Sequence, residues 1–269
     1  MPEKPLISII TVNLNDVEGL KRTMTSVFEQ TFREFEYIVI DGGSTDGSKE
    51  YIESHSDKID TWVSEKDSGI YNAMNKGIKV ANGEYLLFLN SGDHFYQKLV
   101  LEQNYTLLNG YDLIYFNIKV ISDKTEYIKN PPAHLVFSYL TKDTLPHQAT
   151  FIKASLFEKV GYYDESLIIV SDWKFFIESI CEFNATYLKI ENILSTHYLN
   201  GISAVPENWP IILEERNKVL ELGFKVFIED SRQLTETRQK LFELGTLISN
   251  LRKSKKIRLL IKLGLLKNF

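Results

Sequence analysis

The sequence of 269 residues contains one cysteine, Cys181. A single thiol excludes a disulfide framework and a zinc site built from several cysteines, and it is consistent with a reducing compartment. No run of about 18 apolar residues is present, so the sequence predicts no membrane-spanning helix. The apolar run after Pro5 is too short for the hydrophobic segment of a secretory signal, so we expect no such signal.

An excess of positive charge is also missing, because 31 Lys and Arg residues stand against 36 Asp and Glu residues. The formal net charge of −5 argues against a generally basic nucleic-acid-binding protein, and we expect no nucleic-acid partner. The contents of 43% hydrophobic and 25% charged residues exclude a wholly disordered, collagenous or coiled-coil chain. At roughly 150 residues per domain, the length predicts one or two domains.

The charges are unevenly distributed along the chain. Seven of the 31 basic residues fall within residues 251–269, which contain no acid. The first 250 residues therefore carry 24 basic and 36 acidic side chains, a net charge of −12. An acidic body followed by a basic, leucine-rich tail indicates that the tail has a separate purpose.

Continuous apolar runs alternate with helical patterns in the first half of the chain. We predict strands over Ile7–Val12, Tyr37–Ile40 and Tyr85–Leu89. Nearly continuous runs of Val, Ile, Leu and Phe are typical of strands covered on both faces, and therefore of a parallel sheet. Helices between the strands complete right-handed βαβ units. The predicted helices lie over 20–31, 49–54 and 70–80.

The second half is less regular. Short strands are predicted over 113–120, 149–152 and 187–193, and short helices over 155–160 and after Asp172. From Pro206 onward the pattern is helical, with a break near 223–230. We therefore predict an α/β fold with a Rossmann-like, mostly parallel central sheet flanked by helices and a C-terminal helical extension.

Polar residues follow the predicted strands, at the sheet edge where ligands bind in folds of this kind. The second strand runs into the sequence Asp-Gly-Gly-Ser-Thr-Asp-Gly, which begins at Asp41. Its glycines let the backbone approach a ligand closely, and its carboxylate can accept hydrogen bonds from a base or a ribose. The alternative is an ordinary turn in which Ser44 or Asp46 caps the next helix. No Gly-Lys-Ser/Thr follows, which excludes a P-loop.

Two further carboxylates stand at positions suited to chemistry. Asp93 ends an Asn-Ser-Gly-Asp sequence after a predicted buried strand. It can hold Mg²⁺ or Mn²⁺, which favour oxygen ligands, although the same four residues also make a good turn. Asp172 stands in the first turn of a predicted helix, where the helix dipole favours an acid, and it can act as a general base. The residues alone leave these alternatives open.

The order of the motifs is more specific than any one of them. After the Asp41 motif come Asp67–Gly77, Ala81–Tyr85, Leu89–Asp93, His147-Gln148 and Ser171-Asp172-Trp173. This order resembles the family 2 glycosyltransferases of the GT-A fold. The similarity is strongest to the bacterial branch that builds capsule, exopolysaccharide and O-antigen units, including colanic-acid-type transferases.

The resemblance covers residues 5–205 and implies a division of the chain. A GT-A catalytic domain is expected over residues 1–205, followed by a helical extension over residues 206–269. Within the catalytic domain, residues 1–110 form the nucleotide-sugar-binding half and residues 111–205 form the acceptor half.

The resemblance places the nucleotide-sugar donor across the strand ends of the first half. Thr11 and Asn13 match positions that contact the nucleotide. Asp41 matches the acid that binds the base, usually uracil. Asp67 and Asn75 match the stretch that lines the base and diphosphate side of the pocket.

Further roles follow from the same resemblance. Asp93 matches the last acid of the family's Asp-x-Asp motif, which holds Mn²⁺ or Mg²⁺ against the diphosphate. Asp172 matches the catalytic base. His147 and Gln148 are assigned to the acceptor side, with a structural role for His147 as the alternative. His197 is a candidate additional metal ligand, although a lone histidine is more often structural.

The chain departs from the family pattern within these motifs. Gly42 replaces the second acid of the usual Asp-Asp-Gly-Ser, and Ser171 replaces the Glu that usually precedes the base. Asn90 and Gly92 replace two acids of the usual Asp-Ser-Asp-Asp, so Asp93 is the one clear acid left there. One carboxylate is sufficient where a diphosphate and waters fill the other positions, so the change affects metal affinity more than metal use.

The implied activity is inverting transfer of a sugar from a nucleotide-diphosphate sugar, usually a UDP-sugar, to a saccharide or lipid-linked saccharide in cell-surface polysaccharide synthesis. Two alternatives remain. A sugar nucleotidyltransferase would need a Gly-rich loop with a basic residue, and Thr11–Lys21 contains one glycine and no such loop. A non-catalytic nucleotide-sugar-binding scaffold is slightly favoured by the reduced metal motif but opposed by the presence of Asp41, Asp93 and Asp172 together.

Acceptors of this branch are often lipid-linked at the cytosolic membrane face, so residues 251–269 are a candidate peripheral membrane contact. Three leucines share one face of the predicted tail helix: Leu259, Leu263 and Leu266. Lys255 and Lys262 project near that face, and a solvated helix or a homo-oligomer contact is the alternative. We expect a cytoplasmic protein, placed peripherally on the cytosolic face of the inner membrane if the tail binds lipid.

Overall fold

The computed structural model describes residues 4–122, 124–199 and 201–265. The chain divides into two compact units, residues 1–218 and residues 219–269. The first unit extends beyond residue 205, where the sequence places the end of the catalytic domain.

One sheet contains all the strands of the described residues. Its strand order is β3-β2-β1-β4-β8-β6-β9-β5, with β7 paired to β6 at the side. The strands are β1 (Ile7–Asn13), β2 (Phe35–Asp41), β3 (Thr61–Ser64), β4 (Tyr85–Phe88), β5 (His94–Phe95), β6 (Leu113–Ile121), β7 (Glu126–Lys129), β8 (Thr150–Lys153) and β9 (Tyr187–Tyr198).

The helices of the first unit cover both faces of this sheet. They are α1 (Val17–Phe28), α2 (Ser48–Glu53), α3 (Ile70–Val80), α4 (Val100–Asn104), α5 (Phe137–Leu140), α6 (Ala154–Val160), α7 (Ser171–Cys181) and the first part of α8 (Trp209–Gly223). The second unit contains the rest of α8 together with α9 (Lys225–Lys253) and α10 (Lys255–Lys262). The break predicted over 223–230 is confined to Phe224, because α9 resumes at the next residue.

The parallel pairing predicted from the apolar runs is confirmed in the first half. β1 pairs in parallel with β2 and β4, and β2 pairs in parallel with β3. The second half is mixed: β8 is antiparallel to both β4 and β6, whereas β9 is parallel to β6. The register sets Asn13 opposite Asp41 and Asp41 opposite Ser64, so three strands bring polar residues to the same carboxyl edge.

Strand β1 is buried along its whole length because its side chains pack into a core on each face of the sheet. Ile7 and Ile9 pack into the core that contains the apolar face of α1, while Ile10 and Val12 pack into the core that contains α3. Successive side chains of a strand point to opposite faces, so apolar residues on both faces are what two covering layers require. The polar Ser8, Thr11 and Asn13 of β1 are buried as well.

In the second unit, α9 and α10 leave most of their side chains exposed. Ile257, Leu260 and Ile261 of α10 are half-buried, whereas Leu259 and Leu263 are 57% and 62% exposed. Leu266, the third leucine of the predicted tail face, lies outside the described residues. None of the described helices is both long enough and apolar enough to span a bilayer.

Candidate active site

Two cavities open at the carboxyl edge of the sheet. The larger, of 470 Å³, is lined by residues from the end of β1, the start of α3 and the segment before α7. The smaller, of 320 Å³, is lined by residues from the end of β4, the 3-10 turn at 147–149, the start of α7 and the end of β9. Both cavities include Tyr71, Asn90 and Ser91 in their walls, so they lie side by side.

Asp41 lies beneath this edge with its side chain fully buried. Oδ1 accepts hydrogen bonds from Asn13 Nδ2 at 2.8 Å and from Ser44 Oγ at 2.5 Å. Oδ2 accepts from Ser64 Oγ at 2.7 Å and from the backbone amides of Gly43 and Ser44 at 3.2 and 3.0 Å. Burial opposes ionisation, but the hydrogen bonds from Ser44, Ser64 and Asn13 hold the pKa of this carboxyl below its ordinary value.

Thr11 and Asn75 are also engaged within the protein. Thr11 is fully buried and its hydroxyl donates to the Leu89 carbonyl at 2.8 Å. Nδ2 of Asn75 donates to the Tyr163 carbonyl at 2.9 Å and to Glu165 Oε1 at 2.8 Å. Neither residue lines the two cavities, and neither does Asp41. Their assignment as direct nucleotide contacts stays a prediction.

Asn13 and Asp67 do line the larger cavity. Oδ1 of Asn13 is buried without a hydrogen-bond partner, although its amide nitrogen is held by Asp41. The carboxylate of Asp67 accepts a hydrogen bond from the Gly69 amide at 3.0 Å. These two predicted nucleotide-binding residues are therefore placed where a ligand in the larger cavity would meet them.

Asp172 lies at the start of α7 in the wall of the smaller cavity, with 16% of its side chain exposed. Oδ2 lies 3.1 Å from Nδ1 of His147, and Oδ1 lies 3.0 Å from the hydroxyl of Tyr71. Burial opposes the charge, but the hydrogen bond and charge of His147 hold the pKa of the Asp172 carboxyl below its ordinary value. Asp172 is therefore ionised at neutral pH and can accept a proton.

His147 connects Asp172 to the end of β4. Because an ionised carboxylate only accepts hydrogen bonds, Nδ1 of His147 carries the hydrogen that Asp172 receives. Nε2 lies 3.4 Å from Nδ2 of Asn90, while Oδ1 of Asn90 is buried without a partner. The sequence brings these residues together only through the fold, since Asp172 is 25 positions from His147.

The predicted metal residues Asp93 and His197 meet each other in the lining of the smaller cavity. Nδ1 of His197 lies 2.7 Å from Oδ1 of Asp93, and the side-chain amide of Gln148 lies 3.1 Å from the same nitrogen. Burial lowers the pKa of the His197 imidazole, but the hydrogen bond and charge of Asp93 outweigh it and raise that pKa above its ordinary value. Within the described part of the chain, no group of three or more His, Cys, Asp or Glu side chains is arranged to hold a metal ion.

Three side chains that organise the site have no role assigned from the sequence, although Tyr71 lies within the Asp67–Gly77 motif. Tyr71 joins α3 to the start of α7 through its contacts with Asp172 and with the Ile169 carbonyl at 2.5 Å. Glu165 accepts hydrogen bonds from Asn72 and Asn75 at 2.9 and 2.8 Å. Glu215 of α8 accepts from three consecutive backbone amides, those of residues 168–170, at 2.5, 3.0 and 3.2 Å.

The wall of the larger cavity carries negative charge. Asp16, Asp67 and Glu165 line it, and no Lys or Arg of the described residues does so. A diphosphate would be repelled there unless a cation accompanied it. The charge of the walls therefore suits a ligand whose anionic part is neutralised by a metal ion.

Residues 8–164, more than half of the chain, match the family described as Glycosyl transferase family 2. The chain belongs to this family and is a glycosyltransferase, which confirms the family indicated by the motifs. Membership also removes the sugar nucleotidyltransferase as an alternative. The narrower assignment to the capsule and colanic-acid branch stays a prediction.

Two relatives illustrate the range of similarity. The chain is 36% identical over 190 residues to an uncharacterized glycosyltransferase of Mycobacterium tuberculosis. The aligned region covers 68% of this chain and 72% of that protein. The chain is also 30% identical over 177 residues to a PGL/p-HBAD biosynthesis glycosyltransferase of Mycobacterium bovis. That alignment covers 64% of this chain and 68% of the relative.

Solved structures share the fold. The structure of S. aureus TarS in complex with UDP superimposes with a TM-score of 0.60 at 20% identity, covering 71% of this chain and 60% of that one. The mannosyltransferase PcManGT from Pyrobaculum calidifontis, in complex with GDP-Man and Mn²⁺, gives a TM-score of 0.56 at 15% identity over 96% and 83% of the two chains. The predicted GT-A fold, an α/β fold with helices on both faces of the sheet, is thereby confirmed.

The hydrogen bonds of Asp41 generate a prediction about stability. In Asp41→Asn, an amide NH₂ replaces one of the two acceptor oxygens, so the donors that faced this oxygen lose their acceptor. We expect a loss of about 1–3 kcal/mol in the free energy of unfolding. Because the folded-state pKa of Asp41 is lowered, this contribution is present above the unfolded-state pKa and is lost as the pH falls through the folded-state value. Urea denaturation at pH 7 and below about pH 4 measures it.

The exposed Asp57→Asn serves as the control, since it removes the same charge with no buried donors around it. A difference between wild type and Asp41→Asn that stays constant down to about pH 3 would contradict the assigned role of the Asp41 charge.

Proposed function

We propose that the chain transfers a sugar from a UDP-sugar to a saccharide or lipid-linked saccharide acceptor, with inversion at the anomeric carbon, in the synthesis of a cell-surface polysaccharide. The observation that carries this proposal is the ionised Asp172 in the smaller cavity, directly beside the larger cavity at the carboxyl edge of the sheet. The larger cavity is the proposed donor site, and the smaller cavity places the proposed base, Asp172, beside it.

The names of relatives support the classes of donor and product. TarS is described in complex with UDP, PcManGT in complex with GDP-Man and Mn²⁺, and the M. bovis relative as a PGL/p-HBAD biosynthesis enzyme. We assign residues 1–110 to donor binding and residues 111–205 to the acceptor. The proposed branch is that of bacterial capsule, exopolysaccharide and colanic-acid-type transferases.

Asp172 takes the proton in the proposed step. The acceptor hydroxyl oxygen forms a bond to the anomeric carbon, and the bond from that carbon to the diphosphate oxygen breaks with its electron pair leaving on the nucleoside diphosphate. The hydroxyl proton passes to the Asp172 carboxylate. Tyr71 and His147 fix the orientation of this carboxylate through their hydrogen bonds, and we place His147 and Gln148 on the acceptor side.

The residues around Asp93 fit a hard divalent cation. Asp93 supplies a carboxylate, and Oδ1 of Asn90 and Oγ of Ser91 are buried oxygens without partners in the same wall. Oxygen ligands of this kind suit Mg²⁺ or Mn²⁺. We propose that Asp93 holds the ion, with His197 as a further ligand. When bound, the ion supplies Lewis-acid stabilisation of the negative charge on the leaving diphosphate.

A panel of UDP-sugars tests the proposed activity by release of UDP in the presence of Mn²⁺ and saccharide acceptors. We expect Asp172→Asn to reduce transfer at least about 100-fold, because the amide cannot accept the proton. The affinity for UDP, measured by calorimetry, should stay near that of wild type. Glu182→Gln, an exposed change at the other end of the same helix, is the control.

Undiminished transfer by Asp172→Asn would remove Asp172 from the role of base. Binding of UDP by the wild-type protein without turnover of any donor would instead favour the scaffold function, for which the single acid of the Asn-Ser-Gly-Asp motif is the supporting feature.

The proposed metal site predicts a defect in metal binding. Asp93→Asn should weaken binding of Mn²⁺ to the UDP-bound protein about tenfold or more, because a neutral amide replaces the anionic ligand. Titration calorimetry with Mn²⁺ measures this without reference to activity. Asp57→Asn removes an exposed acid far from the motif in sequence and serves as the control. Equal Mn²⁺ affinities in all three proteins would contradict the assignment.

The basic tail yields a separate proposal. We propose that residues 251–269 bind anionic lipid and hold the otherwise cytoplasmic protein at the cytosolic face of the inner membrane, since six basic side chains and no acid lie within residues 251–265. Deletion of residues 251–269 should abolish co-sedimentation with vesicles containing phosphatidylglycerol, because each basic residue contributes about 1 kcal/mol near an anionic surface.

Vesicles of phosphatidylcholine alone are the control, and added salt should weaken the binding. Co-sedimentation that persists after the deletion would overturn the proposal. A change of oligomeric state on deletion, seen by light scattering without any lipid binding, would assign the tail to contact between copies of the chain instead.

A further inference from the structure

Arg216 of α8 lies half-buried in the wall of the smaller cavity, outside the part of the chain that matches the family. Its guanidinium stacks on the indole of Trp173, with 4.9 Å from Cζ to the ring centroid. Nη1 donates to the Lys142 carbonyl at 3.2 Å, and Nε is buried without a partner. Of the five N–H donors of an arginine, the protein uses one.

The positive charge of Arg216, like most of its N–H donors, has no partner among the described residues. It forms no ion pair with any acid of the described residues, although the charges of Asp172 and Asp143 reach it. Burial is the larger effect and lowers the pKa of the guanidinium from its ordinary value. Holding a cation in a partly desolvated position without a partner costs stability, so the position is suited to an anionic ligand.

Arg216 is distinct among the basic residues around the site. Of the Lys and Arg side chains that the structure describes, none lines the larger cavity, and Arg216 alone lines the smaller one. It shares that wall with Asp172 and is absent from the wall of the larger cavity. An anion bound by Arg216 would therefore lie on the side of the proposed base.

The neighbouring residue fixes Arg216 in place. Glu215 is buried, and its carboxylate accepts hydrogen bonds from the amides of Ile168, Ile169 and Val170. This segment leads directly into the first turn of α7, which carries Asp172. Helix α8 is thereby tied to the segment that positions the base, so the guanidinium and the carboxylate keep a defined relation.

We propose that Arg216 binds a phosphate group of a substrate in the smaller cavity. The planar guanidinium fork can engage two phosphate oxygens at once, and a carbonyl or hydroxyl ligand would leave its charge uncompensated. The inference rests on the proposed function for the origin of the phosphate. That origin is either a phosphate on the acceptor, as its position beside Asp172 favours, or the diphosphate of the donor.

Calorimetric titrations of the full chain with UDP, uridine and glucose 1-phosphate test this, the last probe both alone and after saturation with UDP and Mn²⁺. We expect Arg216→Gln to weaken binding of at least one phosphate-bearing probe about tenfold or more, and to leave binding of uridine unchanged. Arg216→Lys keeps the charge without the fork and should fall between. Lys218→Gln removes an exposed charge from the same helix and is the control.

The two sources of phosphate give different results. A loss confined to UDP assigns Arg216 to the donor, and a loss confined to glucose 1-phosphate assigns it to the acceptor. Equal affinities of wild type and Arg216→Gln for both probes would overturn the proposal, as would a parallel loss of uridine binding, which would indicate a structural role. A wild-type chain that binds neither UDP nor uridine would refute the proposed donor, while Arg216-dependent binding of glucose 1-phosphate would still support Arg216.

Discussion

Keeping the buried carboxylate of Asp172 charged is the constraint that organises the site. A desolvated carboxylate protonates unless hydrogen-bond donors or positive charge compensate it. The donors are Tyr71 from α3 and His147 from the 3-10 turn before β8, and Asp172 itself comes from α7. Three segments far apart in the sequence must therefore be in place for the buried carboxylate, the proposed base, to keep its charge.

Two further buried acids, Asp41 and Glu215, also accept hydrogen bonds from other segments of the chain. Asp41 connects the ends of three parallel strands by accepting from Asn13, Ser44 and Ser64. Glu215 joins α8 to the segment before α7. Each carboxylate thus crosslinks elements that the apolar core packs side by side but does not orient. Donors fixed in this way need no reorganisation when charge moves, which is the property that electrostatic catalysis requires.

How much of the fold and of the candidate site can be predicted from the sequence depends on how far apart in the sequence the interacting residues are. The helix predicted over 70–80 is α3, because its apolar side chains recur at helical spacing within one segment. Strand ends locate polar residues at the ligand-binding edge. Spacing carries no information on what a side chain meets across the fold, however. Thr11, Asp41 and Asn75 stand where the motifs place them, yet their polar groups are engaged by the protein, and Arg216 belongs to no motif.

The two glycines that replace acids of the family pattern have a physical explanation in the structure. A side chain at Gly42 would place its Cβ 2.5 Å from Oδ2 of Asp67, so the Asp67 carboxylate already fills that space. Gly92 has a φ of 98°, a left-handed conformation that disfavours any side chain. A Cβ built there would lie 3.7 Å from Oδ2 of Asp16, which again brings a carboxylate from another segment.

The reduced motifs therefore do not leave the site short of negative charge. Asp67 and Asp16 both line the larger cavity, and each stands beside a position where the family pattern has an acid and this chain has glycine. Asp67 is itself part of the Asp67–Gly77 motif, whereas Asp16 precedes α1 and accepts a hydrogen bond from the Gly19 amide. Under the proposed function, these two carboxylates would lie beside an anionic donor that enters the site together with a cation.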